Sequence, residues 1–333
     1  MVARIAGTKK IVETGRYVII FNVANGKEII FGKHGFPDPF MLDYPNLIDI
    51  GIMGHCPNKC KFCYQGGEEQ PNMKLEDFKR IIDESKVFTN QVALGGRGDP
   101  NLHENFGEIV GHARECVVVP NYTTSGLGLT SEHIEISKMC GAVAVSDYGQ
   151  DFTFGALQRL MDSDIKTNLH FLLSKESLSK AVNILKGEDV WDRKIDLDRL
   201  NAVIFLLFKP QGRGKKLIDW ALTNEDLKEF ISLRLENNTN FKIGMDSCLV
   251  NRITQTTTLT KMEEMFLDTC EAARMSCYIS PDMMLMPCSF ADKDKYGIYL
   301  KDMSIEEAWK LSHSFMETRQ MLEENKERCP YGF

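Results

Sequence analysis

A chain of 333 residues, 43% hydrophobic and 26% charged, is long enough to bury a substantial core, as one large α/β domain with an appendage or as two modest domains. Forty basic residues stand against 47 acidic ones, a net charge of -7, and no Lys/Arg block tracks a phosphate backbone, which argues against nucleic acid as a partner. The opening "MVARIAGTKKIVETG" lacks the apolar core of a signal peptide and no run of about 18 apolar residues follows, so a cytoplasmic protein without membrane contact is expected.

Residues 17 to 32, "YVIIFNVANGKEIIFG", read as a hairpin turning at Asn25-Gly26, and "FPDPFMLDYP" (36 to 45) as a proline-rich linker, so residues 1–45 form an N-terminal extension. Apolar strand-like runs then recur at 47–52, 91–94, 117–122, 142–146, 167–173 and 202–207. Between the first three, Leu75, Phe78, Ile81 and Ile82, then Phe106, Ile109, Val110 and Ala113, carry helical spacing. Strands alternating with helices predict a parallel sheet, and six units predict a partial (β/α)6 TIM-like barrel over residues 46–245, with chemistry at the carboxyl ends of its strands. From residue 246 to 333 the rhythm changes, and this second unit holds five of the ten cysteines. It contains a helix with a capping box, Ser304 with Glu307, and ends in the irregular "ERCPYGF".

Ten cysteines in a reducing compartment point to metal ligands or catalytic thiols rather than disulfides. Cys56, Cys60 and Cys63 follow the first barrel strand directly. Three thiolates suit zinc, with His55 or His34 completing the site, or a [4Fe-4S] cluster, in which three ligands leave one iron open for catalysis.

The segment "CPNKCKFCY" resembles the signature of the radical S-adenosylmethionine (SAM) superfamily, C-x3-C-x2-C followed closely by an aromatic residue. The resemblance implies that SAM occupies the open iron through its amino and carboxylate groups. It also implies that an external electron donor such as flavodoxin or ferredoxin drives cleavage to methionine and a 5′-deoxyadenosyl radical, which removes hydrogen from a substrate. "ALGGRGDP" resembles the family segment that holds the SAM amino group, through Gly95 and Gly96, with Arg97 where an acidic residue is usual. By the same resemblance "TTSG" (123 to 126) and "VAVSDYG" (143 to 149) supply ribose and carboxylate contacts, with Ser146 the best single candidate, and Arg213 in "FKPQGRG" pairs with the SAM carboxylate.

"CEAARMSCYISPDMMLMPCSF" resembles the SPASM or twitch extension, which ligates an auxiliary iron-sulfur cluster. The resemblance implies one auxiliary [4Fe-4S] cluster on Cys270, Cys288 and Cys329, with Cys248 favoured over Cys277 as fourth ligand; a four-cysteine zinc brace is the alternative. Met283 stands where the family hairpin turn has glycine, so that turn is expected to differ, while Cys116 and Cys140 read as buried core thiols. Family members with such extensions mostly act on peptides or proteins. Crosslinking, oxidation or epimerisation of a ribosomally made peptide is therefore the expected reaction, ahead of small-molecule dehydrogenation or a non-catalytic iron-sulfur or zinc protein. Cys277 is the candidate hydrogen-atom donor to a product radical, and Asp99, Asp147 and Asp246 are open candidates for proton transfer. The N-terminal hairpin is expected either to add a peptide strand at its edge or to cover the barrel mouth.

Overall fold

The computed structural model describes residues 1–188, 190–191, 195–234, 241–258, 260, 267, 269–325 and 329–331. Among these residues the strands form two sheets. The first is an antiparallel meander of β1 (Val2–Ala6), β2 (Lys9–Glu13), β3 (Tyr17–Asn22) and β4 (Glu28–Gly32). The expected hairpin is β3 and β4. The two strands before it carry little signal in the sequence, since every residue of β1 is exposed and β2 begins with two lysines.

This small sheet does not cover the barrel mouth. Lys10 Nζ donates to the Thr89 carbonyl at 2.5 Å, Asn46 and Asn90 donate to the Glu28 carboxylate at 2.6 and 3.0 Å, Arg114 donates to the Val23 carbonyl at 3.1 Å, and Lys166 to that of Asn25 at 2.9 Å. Apart from Arg114, the barrel partners each lie just before a barrel strand. The meander therefore sits under the amino ends of those strands, at the opposite end from the cysteine loop.

The second sheet contains the barrel. Its strands β5 (Leu47–Gly51), β6 (Gln91–Gly95), β7 (Val119–Thr124), β8 (Val143–Ser146), β9 (Thr167–Leu173) and β10 (Ala202–Leu207) pair in parallel in sequence order, as expected of six strand-helix units. A seventh parallel strand, β11 (Lys242–Met245), extends the row beside β10. Of the residues their spacing marks, helices α1 (Leu75–Ser85) and α2 (Phe106–Glu115) bury Phe78, Ile81 and Ile82 on the first and Phe106, Ile109, Val110 and Ala113 on the second, while Leu75 is partly buried against the same core. Cys116 and Cys140 are both half-buried rather than fully buried, and both pack against this core; Cys116 does so at the end of α2, beside His112 and Asp83.

The carboxyl-terminal unit continues the same sheet. Strand β12 (Ser276–Ile279) pairs in parallel with β5, and β13 (Met284–Met286) and β14 (Ile298–Tyr299) follow antiparallel. In the β12–β13 turn Met283 adopts φ +67°, a left-handed conformation that favours glycine. The Met283 side chain is buried in the main core, whose apolar contacts offset the backbone strain. The Ser304 capping box opens helix Ile305–Leu311, and its buried Trp309 donates Nε1–H to the Leu42 carbonyl at 3.1 Å, fastening the proline-rich linker. A further helix, His313–Glu324, precedes the tail, of which residues 329–331 are described.

Candidate active site

Cys56, Cys60 and Cys63 lie in the loop from β5 to α1, and loops after three other strands hold that loop in place. Asn58 Nδ2 donates to Ser125 Oγ at 2.8 Å, and Ser125 in turn donates its N–H, at 2.9 Å, and its hydroxyl to the buried Asp99 carboxylate. Arg97 donates to the Glu68 carbonyl at 3.0 Å and to that of Gly66. The N–H groups of Arg213 and Gly214 donate to the Cys63 carbonyl at 3.0 and 3.2 Å. Gly212, at φ +52°, permits that approach, because a β-carbon would come within 2.1 Å of the Tyr64 carbonyl oxygen.

Burial raises the Cys60 thiol to about 11, the neighbouring Cys56 and Cys63 thiols push it the same way, and Arg213 opposes them. Cys56, Cys63, Arg97, Gly98 and Arg213 line a cavity of about 140 Å³. Among the described residues no three of these cysteine sulfurs lie within 4.8 Å of one another, whereas a single zinc ion draws its thiolates to about 3.8 Å. Three soft donors on one loop, two of them on the cavity wall, and a spacing too wide for a single ion fit a multi-iron cluster better than zinc.

The residues expected to contact SAM fall into two groups. Arg213 lines the cysteine cavity. The Ser146 side chain hydrogen-bonds Tyr148, whose ring lies 5.4 Å from Phe62 of the cysteine loop and within electrostatic reach of Cys60 and Cys63. A β-carbon on Gly95, at the end of β6, would meet no protein atom within 4 Å. Gly96 differs from expectation. It is at φ +85°, and a β-carbon there would stand 2.7 Å from Tyr278 Oη, so protein rather than ligand occupies the space beside it.

A larger, partly open cleft of about 770 Å³ lies between the cysteine loop and the carboxyl-terminal hairpin. Tyr64, Arg97, Lys215, Tyr278, Phe290 and Lys293 are among its walls, and Gly66, Gly67 and Arg97 are shared with the cysteine cavity. Tyr278 and Phe290 come from the second unit, so that unit helps to form the cleft.

The second cysteine group surrounds its own cavity of about 180 Å³, lined by Cys248, Cys270, Cys288 and Cys329 across the gap between β5 with β12 on one side and the start of the helix Ser247–Thr256 on the other. Burial is the main cause that raises these thiols, Cys270 to about 11, Cys288 to about 12 and Cys248 well above the usual value, and neighbouring cysteines of the set add to it. Here too no three sulfurs among the described residues lie within single-ion reach. Buried Lys209 stands beside Cys248 with Nζ 2.8 Å from the Asp246 carboxylate and 4.2 Å from the Phe290 ring centre. Burial works against its charge, but Asp246 and Cys248 hold its pKa above the ordinary lysine value.

Cys277 borders the same cavity but lies in β12, only 2% exposed, and its charged neighbours are Asp49 and Arg319 rather than the other thiols. It does not line the cleft. The acidic strand ends are likewise engaged elsewhere. Asp99 holds Ser125, Asp147 accepts from Trp191 Nε1 at 2.8 Å, and Asp246 caps the helix Ser247–Thr256 and pairs with Lys209. Asp49 on β5 went unremarked in the sequence. Burial, with Glu271 adding to it, pushes its carboxyl up to about 7.

Residues 50–154 match the model of the Radical SAM superfamily. Mycofactocin maturase MftC of Mycolicibacterium smegmatis is 23% identical over 323 residues, covering 84% of this chain and 74% of the relative. PqqA peptide cyclase of Rhodopseudomonas palustris is 22% identical over 200 residues, covering 54% and 49%. In fold the chain resembles Streptococcus suis SuiB bound to its precursor peptide SuiA (TM-score 0.73, 13% identity, 99% of this chain and 98% of that one). It also resembles anSMEcpe with bound AdoMet (TM-score 0.61, 15% identity, 82% and 79%).

Proposed function

We propose, from the premise that the chain is a radical SAM enzyme, that it modifies a ribosomally made peptide bound in the cleft beside the cysteine loop. In this reading Cys56, Cys60 and Cys63 hold a [4Fe-4S] cluster, and Gly95, Ser146 and Arg213 contact SAM. Cys248, Cys270, Cys288 and Cys329 hold one auxiliary [4Fe-4S] cluster. When bound and reduced by an external donor of the flavodoxin or ferredoxin kind, the first cluster and SAM supply a carbon radical able to remove hydrogen from an unactivated C–H bond. The protein's own part is to orient and to exclude water. Arg97 and Asn58 fix the cysteine loop, Arg213 offers a guanidinium to a carboxylate, and Tyr278 closes the barrel end over Gly51 and Gly96.

The observation that carries the peptide reading is the shared wall: the cysteine cavity meets a partly open cleft through Gly66, Gly67 and Arg97, and residues of both units line that cleft. The named relatives that cyclise or bind precursor peptides support it. The test is to incubate the anaerobically reconstituted enzyme, SAM and dithionite with a peptide extract from cells lacking it. Loss of hydrogen mass from a discrete peptide, with 5′-deoxyadenosine formed in step, is the expected result. A change confined to the small-molecule fraction would instead identify a small-molecule dehydrogenase.

A further inference from the structure

Cys116 has company that its place in the sequence does not reveal. It closes α2 four residues after His112, so the two side chains share one face of that helix. Asp83, near the end of the neighbouring α1, faces them. Asp83 Oδ1 lies 3.5 Å from His112 Nε2 and 3.6 Å from Cys116 Sγ, and Sγ lies 3.7 Å from Nε2. Among the described residues this is the one group of three His, Cys or carboxylate ligand atoms within 4.8 Å of one another.

Those lengths are close to the edges of a metal tetrahedron. Zinc bonds of 2.0–2.2 Å to nitrogen and oxygen and 2.3 Å to sulfur, at tetrahedral angles, place the ligand atoms about 3.3–3.6 Å apart. The triangle here is larger by only about 0.1–0.2 Å, an adjustment within the reach of side-chain rotation alone. We propose that Asp83, His112 and Cys116 form a zinc site that clips α1 to α2 at the amino end of the barrel, with water as fourth ligand.

The donor set selects the metal. One thiolate, one imidazole and one carboxylate suit zinc, whereas magnesium and calcium require mostly oxygen ligands. Lys86 donates to Asp83 Oδ1 at 2.9 Å. A carboxylate offers about four lone-pair sites, so this ion pair and a metal bond can share it. The location indicates the role. Val117, next to Cys116, accepts a hydrogen bond from Lys10 of the small sheet, placing the site at the end of the barrel away from the cleft, where bound metal braces the fold rather than reacting.

The experiment uses protein whose iron-sulfur sites are already filled, so that cluster cysteines do not compete for zinc. Wild type, His112→Ala and Cys116→Ala are given one equivalent of zinc chloride, desalted and analysed for zinc and iron. Wild type should retain one zinc per chain, and each variant should lose more affinity than the roughly tenfold cost of removing an outer-shell partner, with iron unchanged. Cobalt(II) offered to the wild type in place of zinc should give a thiolate-to-cobalt absorption band, a readout that stands even if a variant fails to fold. Wild type that retains no zinc, zinc retained equally by the variants, or cobalt bound without a thiolate band would each overturn the proposal.

Discussion

The Tyr64 and Phe290 rings meet with centroids 4.4 Å apart, and through that contact the residue after Cys63 rests on a residue two places after Cys288. The Tyr64 side chain also hydrogen-bonds Ser289. Two cysteine segments more than 200 residues apart in the chain are thereby held in register, with Lys209 Nζ over the Phe290 ring. Aromatic pairs of this kind contribute about 0.5–1.5 kcal/mol beyond the area they bury, enough to make the two loops order together.

Arg97 is the main side-chain tie on the descending half of the cysteine loop, through its bonds to the Gly66 and Glu68 carbonyls. Arg97→Ala should retain iron but lower the yield of 5′-deoxyadenosine severalfold, because a loop that wanders degrades the orientation on which the step depends. Iron analysis and chromatography of the quenched reaction measure the two effects separately, and an unchanged yield would remove Arg97 from any positioning role.

Cys248 and Cys277 should part company on substitution. Under the proposed assignment Cys248→Ala removes one of the four auxiliary ligands, and iron should fall from about eight per chain toward about four. Cys277→Ala should keep both its iron and its product yield, since that thiol is buried in β12 away from the cleft. Product loss with normal 5′-deoxyadenosine in the second variant would instead identify it as a hydrogen donor.

Met283→Gly sets two effects against each other. Glycine relieves about 1–2 kcal/mol of left-handed strain, but deleting the buried methionine side chain forfeits about 2–5 kcal/mol. The variant should be less stable, by up to about 4 kcal/mol, read as a lower denaturant midpoint. A gain in stability would mean that the core closes over the missing side chain.

Asp49 should tie stability to pH. Its carboxyl sits at about 7 in the fold against 3.8 ordinarily, so the native state holds the proton more tightly than the unfolded chain does. That contribution is complete below about 3.8 and is lost as pH rises through about 7. Between pH 5 and pH 8 the melting temperature of the wild type should therefore fall further than that of Asp49→Asn, and parallel curves would count against the assignment.

How much of this was legible in the sequence varied with the physics of each element. The parallel barrel strands announce themselves because both faces are covered and the runs are apolar, as in "AVIFLL" and "TNLHFLL". Strand β11 is four residues with a glycine and β1 is wholly exposed, so neither carries a period to read. Cysteine spacing flagged both thiol groups, yet it could not show that Cys277 has Asp49 and Arg319 for charged neighbours while Cys248 lies near Cys288 and Cys329. Tyr278 over Gly51 and Gly96, and Asp83 beside Cys116, are contacts between distant segments, and only the folded chain brings them together.

The meander at the amino ends of the strands and the cleft at their carboxyl ends are separated by the height of the barrel. A strand of five to seven residues spans about 17–23 Å, so a peptide that pairs with the outer edge of β1 reaches the cleft only if about six or more extended residues lie between the two footholds. With such a substrate the barrel acts as a ruler. Shortening the spacer would abolish modification while leaving binding intact, and lengthening it would move the modified position along the peptide.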